Sequence, residues 1–98
     1  MPTSITPDTT VCWHSDHLAA EIDGQVVLMS MAKGKYVGLD DIASVIWRRL
    51  DQPMRVAALC EGLAHDYEGD SADIARDVSD LLEELDELGL IAVQPAAA

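Results

Sequence analysis

Residues 26–39, Val-Val-Leu-Met-Ser-Met-Ala-Lys-Gly-Lys-Tyr-Val-Gly-Leu, constrain the fold more than any other stretch of the chain. Two β-rich arms flank an Ala-Lys-Gly-Lys break, and Gly34 can take the positive φ of a tight turn, which is the pattern of a β-hairpin. The second arm runs directly into Asp40-Asp41 and a helical pattern, so it closes the β-section. The last strand of an up-and-down sheet lies at an edge, with main-chain donors and acceptors left over.

The rest of the chain supplies what that hairpin needs. Leu18 to Ile22 is a further strand, and Asp23-Gly24 is a type I′ turn into the first arm. Three antiparallel strands are expected at 17–22, 26–31 and 35–39, with 11–14 as a possible short strand. So small a sheet needs a helical layer on one face. Asp40 or Asp41 can cap a first helix carrying Ile42, Val45, Ile46, Trp47 and Leu50, and Pro53 closes it. A second helix is expected over 55–66, with Val56, Leu59, Cys60 and Leu63 on one face. A third runs from 71 to 88, opened by Asp70 and stopped by Gly89 in the C′ position. On it Ile74, Val78, Leu81, Leu85 and Leu88 fall within about 80°, and Ala75 and Leu82 widen the arc to about 140°. Residues 90–93 can return as a short extended segment, while 1–10 read as a loose leader and 95–98 as a frayed tail. The expected architecture is α+β: one small winged-helix-like domain spanning 1–98 with its core at 17–92, a three-stranded antiparallel sheet followed by three helices.

Charge excludes several functions. Eighteen acidic residues against 6 basic ones give a net −12, which repels phosphate backbones and anionic membranes. The second and third helices could pose as a helix-turn-helix, but the recognition helix would open Asp70-Ser71-Ala72-Asp73 and meet phosphates with carboxylates. No apolar run reaches the length of a membrane span and the N-terminus lacks a signal-peptide pattern. Cys12 and Cys60 show no framework spacing, so they read as reduced thiols of a cytoplasmic protein.

Catalysis and metal binding find no support either. Cys12-Trp13-His14-Ser15-Asp16-His17 holds three potential zinc ligands, yet strand alternation sends His17 away from Cys12 and His14, and a fourth ligand would have to come from Cys60 or a carboxylate. Cys60 sits among apolar residues mid-helix, where a thiol is inert. No nucleophile, base and orienting group come together, and no glycine-rich phosphate loop exists. The reading is a non-enzyme with no cofactor and no metal.

Lys35-Tyr36-Val37-Gly38-Leu39-Asp40 followed by Ile42-Ala43-Ser44-Val45-Ile46-Trp47 resembles the (R/K)YYGLN…GxxIW signature of PqqD-like proteins, the RiPP recognition elements. RiPPs are ribosomally made, post-translationally modified peptides. Val56 to Leu59, Leu63 to Tyr67, Asp77-Val78 and Leu81 to Leu85 ending in Leu88-Gly89-Leu90-Ile91 continue the resemblance over about residues 17–92. Asp40 stands where the family commonly has Asn, and Asp41-Ile42 replaces a more usual small or acidic pair.

The resemblance implies a scaffold that binds a precursor's leader peptide as an added strand on the third strand, against the third helix. The peptide-binding residues so implied are Lys35, Tyr36, Val37, Gly38 and Leu39 with Asp77, Val78, Leu81 and Leu85. Strand alternation separates Tyr36 and Gly38 from Lys35, Val37 and Leu39, without saying which set meets the ligand. A stand-alone chain of this kind looks most like the leader-binding protein of lasso-peptide pathways, which serves a separate leader peptidase. Two alternatives stay open: a pyrroloquinoline quinone-type accessory chaperone for a radical SAM enzyme, and an acidic winged-helix regulator.

Overall fold

The computed structural model of the chain describes residues 5–14 and 17–94. Its elements run β1 Thr10–Trp13, β2 His17–Ile22, β3 Gln25–Ser30, β4 Lys35–Gly38, α1 Asp41–Arg49, β5 Met54–Arg55, α2 Val56–Tyr67, α3 Ser71–Glu87 and β6 Ile91–Gln94. This is the expected α+β class, with the three helices joined by two antiparallel three-stranded sheets ordered β2-β3-β4 and β5-β1-β6.

The first sheet follows from its turns. Asp23 and Gly24 have φ of 53° and 82°, the two positive values of a type I′ turn, and they set the register Ile22↔Gln25 through His17↔Ser30. Gly34 takes φ 64° at the second turn and donates its N–H to the Ser30 carbonyl at 2.8 Å. On β3 the inward residues Val26, Leu28 and Ser30 are buried while Val27 and Met29 are only half-buried.

The helix ends are closed by local groups. The Asp40 carboxylate accepts from the Ala43 N–H at 2.8 Å, and Asp70 accepts from Ala72 at 2.8 Å and Asp73 at 3.3 Å. At the far end of α3, Leu90 N–H donates to the Leu85 carbonyl at 2.9 Å and Gly89 N–H to that of Asp86 at 3.0 Å. With Gly89 at φ 72°, this pair of bonds is a Schellman motif, and Leu85 and Leu90, the two residues it joins, are both fully buried.

Two features of the N-terminal third differ from expectation. β1 does not extend the hairpin sheet; it pairs with β6 from Thr10↔Gln94 to Trp13↔Ile91 and with β5 at Thr10↔Arg55 and Val11↔Met54. The reading of 1–10 as loose is corrected for Ile5 to Thr10. Arg55 offers α2 no side-chain cap, and the Val56 and Ala57 N–H groups donate instead to the carbonyls of Thr9 and Pro7, both at 2.9 Å. Buried Thr9 and the Asp8–Arg55 ion pair at 2.5 Å hold the segment there, so the core begins before residue 17. Residues 1–4 of that leader, the tail at 95–98, and Ser15 and Asp16 of the Cys12 to His17 cluster lie outside the described residues.

The core joins both sheets to the helices. Val11, Leu28, Leu50, Leu59, Leu82, Leu85 and Leu90 are all fully enclosed. Trp13 stacks on Trp47 with centroids 5.1 Å apart and donates its Nε1–H to the Trp47 carbonyl at 2.7 Å, so the second sheet is fastened to α1. The His17 ring meets both indoles edge-on, and its Nδ1 lies 2.5 Å from the His14 carbonyl.

Candidate functional site

Strand β4 ends where a side chain enters the ladder. Leu39 N–H donates to the Val26 carbonyl at 2.8 Å, but the return bond is replaced: the buried Ser44 hydroxyl accepts from Val26 N–H at 2.9 Å and donates to the Leu39 carbonyl at 3.2 Å. That bond fixes the parity of the whole ladder. In an antiparallel pair, residues alternate between bonding the neighbour and facing away. With Leu39 bonded to Val26, the register Leu28↔Val37 and Ser30↔Lys35 places Val37 and Lys35 among the bonded residues as well. The N–H and C=O of Tyr36 and Gly38 therefore point out of the sheet, and among the described residues no strand pairs with them, since β4 is the last strand. Side chains alternate too: Val37 and buried Leu39 face the core, while Tyr36, 72% exposed, shares the outer face with Gly38.

Helix α3 is tied to the turn before β4 and lies near the helix that follows it. At the start of β4, the Ser30 hydroxyl donates to the Leu88 carbonyl and accepts from Lys33 N–H at 3.2 Å, so the end of α3 is tied to the β3–β4 turn. Past the end of β4, Ile42 and Ile46 of α1 share an apolar pocket of about 180 Å³ with Leu63 and Tyr67 of α2 and Ile74, Asp77 and Val78 of α3. The helix rises about 16 Å between Asp77 and Leu88 at 1.5 Å per residue, and an extended chain covers about 17 Å from Lys35 to Asp40. The two lengths match, and α3 is tied to the turn before β4 and packed near α1, the helix after it.

The flank of α3 is graded. Leu82, Val78 and Leu85 are in the core. Ile74, Leu81 and Leu88 are half-buried, and their spacing of seven puts them in one row that drifts only about 20° per repeat. Asp77 and Glu84, both exposed, form the next row outward. This flank of α3 therefore has an apolar row with a carboxylate rim, and Lys33 and Lys35 are exposed at the β3–β4 turn and the start of β4.

Similarity to known proteins agrees with this geometry. The family model of coenzyme PQQ synthesis protein D (PqqD) matches residues 25–91. The chain belongs to the PqqD family. Among solved structures, TbiB1 in complex with the TbiA(beta) leader peptide is 29% identical, with a TM-score of 0.73 over 89% of this chain and 99% of that one. Lasso peptide synthetase B1 complexed with the leader peptide is 28% identical, with a TM-score of 0.71 over 87% of this chain and 98% of that one. No curated protein sequence matches the chain.

In this PqqD-family chain the nine residues expected to bind peptide separate into two groups. Lys35, Tyr36, Gly38 and Asp77 are exposed, and Val37 and Leu81 are half-buried. Leu39, Val78 and Leu85 are buried in the core, and Val78 also lines the three-helix pocket. Ile42, Tyr67 and Ile74 line that pocket and Leu88 lies half-buried at the end of α3, none of them among the nine. The heptad spacing of Ile74, Leu81 and Leu88 was the available signal for Ile74 and Leu88; Ile42 and Tyr67 join only through the packing of three helices. Ser30 and Ser44 carried no signal, because short polar residues look alike in turns and in cores.

Among the described residues no cluster of three His, Cys, Asp or Glu can hold a metal ion, and no helix is long and apolar enough to cross a membrane. Burial pushes the Cys60 thiol up, which keeps it neutral and poorly nucleophilic.

Proposed function

We propose that this PqqD-family chain binds the leader segment of a ribosomally made precursor peptide as an added strand on β4 and presents it, in the cytoplasm, to the leader peptidase of a lasso-peptide pathway. The observation that carries the reading is the outward-facing main chain of Tyr36 and Gly38; the reading takes the half-buried Ile74, Leu81 and Leu88 row of α3, whose end is tied to the β3–β4 turn, as the other wall of the cleft. An extended peptide gains main-chain bonds from the first and side-chain contacts from the second, which is the division of labour in β-augmentation. Similarity to two leader-bound structures across nearly the whole chain supports it. In this scheme Tyr36 and Gly38 give main-chain bonds. Val37, Leu81 and Asp77 meet inward-pointing side chains of the leader, and Lys35 interacts with it at the turn end. Leu39, Val78 and Leu85 hold the floor. The chain acts by binding and performs no turnover of its own.

The description of the family favours a second reading, in which the bound peptide is handed to a modifying enzyme of pyrroloquinoline quinone synthesis. The experiment is a titration of the purified chain with leader peptides of lasso-peptide precursors, the TbiA(beta) leader among them, followed by cleavage assays with the leader peptidase of the same pathway. Saturable binding together with faster cleavage in the presence of this chain supports the lasso reading. Binding without any effect on the peptidase moves the case to the second, and loss of precursor mass with this chain alone contradicts both.

A further inference from the structure

Gly38 is a glycine that the chain's own fold does not require. Its φ is not in the left-handed region, unlike Gly24, Gly34 and Gly89, and a Cβ built on it would meet nothing within 4 Å. Glycine inside a strand weakens it and often marks a place where another group comes close. Here that group is not part of the chain.

The cross-strand rows show what kind of space the missing side chain leaves. On the outer face of the sheet, register aligns Leu18, Met29 and Tyr36 in one row and Ala20, Val27 and Gly38 in the next. The first row is a ridge of large side chains; Leu18 and Tyr36 are 57% and 72% exposed. The second shrinks from Val27 to a bare α-carbon at the edge, so it is a shallow apolar trough open toward solvent at Gly38. On its other side stand Ile22 of β2, 60% exposed, and the polar Gln25 and Asp40, which share the hollow with Gly38. Because the Gly38 N–H and C=O point out of the sheet, an added antiparallel strand places one residue directly opposite it as a hydrogen-bonded pair. Paired residues project to the same face.

We propose that Gly38 is a specificity-determining residue: it opens the trough to one large apolar side chain, best an aromatic one, carried by the peptide residue that pairs with Gly38. A flat ring laid over a cross-strand glycine covers the exposed α-carbon and Val27 and meets the Tyr36 ridge at its side. The outer face then reads one position of the peptide, and the α3 side reads the alternate ones. This inference rests on the β4 reading above and adds a requirement to it.

The test uses the full chain, its Gly38→Val and Gly38→Ala variants, and peptides selected from a displayed library of random sequences on the wild-type chain. Amide-shift mapping and cross-strand contacts by NMR locate each peptide and its register. The expected result is that selected peptides carry Trp, Tyr, Phe or Leu opposite Gly38. Gly38→Val, folded and thermally unaltered because its side chain meets nothing, weakens them by up to about fivefold, the size of one good cross-strand pair. Replacing that peptide residue by Ala weakens binding to the wild type by a similar factor and removes the sensitivity to Gly38→Val. Peptides that pair with β4 but show no size preference at this position, or bind Gly38→Val unchanged, overturn the role of Gly38 and leave the edge reading intact. Peptides that leave the Tyr36 and Gly38 amides unperturbed, or no binders at all, overturn both. Should Gly38→Val fail to fold, Gly38→Ala and the peptide-side substitution decide the matter.

Discussion

The hydroxyl of Ser30, at the end of β3, donates to the main-chain carbonyl of Leu88, at the end of α3. The residues are far apart in sequence, and the bond sets the distance between a helix terminus and the turn that launches β4. Ser30 is 1% exposed, so the carbonyl it serves has little water to fall back on. Ser30→Ala is expected to cost about 1–3 kcal/mol, the penalty for leaving a buried polar group without its partner. Equilibrium unfolding in urea measures it. A midpoint equal to that of the wild type would mean that the α3 end is held by packing alone.

Proline substitutions separate the two parities of β4. Val37→Pro removes an N–H that bonds to β3 and should destabilise the fold by about 1–3 kcal/mol. Tyr36→Pro removes an N–H that faces outward, which an edge strand tolerates, so the fold should hold while peptide affinity falls. Thermal denaturation alongside a binding titration reads both variants. The reverse pattern would place the bonded residues one position out of register.

Along α3, Leu81 and Leu85 make the matching contrast. Leu85 is fully enclosed, and Leu85→Ala should cost about 2–5 kcal/mol of stability as a buried cavity opens. Leu81 is half-buried on the cleft side, so Leu81→Ala should cost less stability and more affinity. Denaturant midpoints and peptide titrations of the two variants are compared directly. Equal losses in both assays would show that Leu81 is ordinary core.

Legibility followed the range of the forces involved. The Asp23-Gly24 and Gly34 turns, the Asp40 and Asp70 caps and the Gly89 stop are all local, and each stood in the sequence beside the element it bounds. The heptad of α3 was visible for the same reason. Long-range pairings were not. β5 has two residues, too few for any pattern, and β1 joins β6 only because the whole helical section brings residue 91 back to residue 13. Thr9 and Pro7 looked like loop residues because their carbonyls, not their side chains, close α2. Tyr36 and Gly38 were distinguished from Lys35, Val37 and Leu39 by alternation, yet which set faces outward depended on one bond, from Leu39 to Val26.

The Cys60 thiol gives a pH signature. Burial raises its folded-state pKa above that of the unfolded chain, so the neutral thiol is the form the fold favours. Its contribution is fully present below the unfolded thiol's pKa and is lost as pH rises through the folded value. The urea midpoint of the wild type should therefore fall more steeply in the alkaline range than that of Cys60→Ala, with the two curves parallel below it. Parallel curves throughout would show that this thiol is not desolvated.

Hydrogen exchange of the β4 amides tests the central claim most directly. Lys35, Val37 and Leu39 donate within the sheet already, whereas Tyr36 and Gly38 donate to nothing else in β3. On saturation with leader peptide, exchange at Tyr36 and Gly38 should slow sharply, while Lys35, Val37 and Leu39 change little beyond the general stabilisation of the fold. This alternating pattern is what an added strand produces. Slowing of all five amides alike, or protection confined to the β2 edge or the helices, would contradict a leader paired along β4.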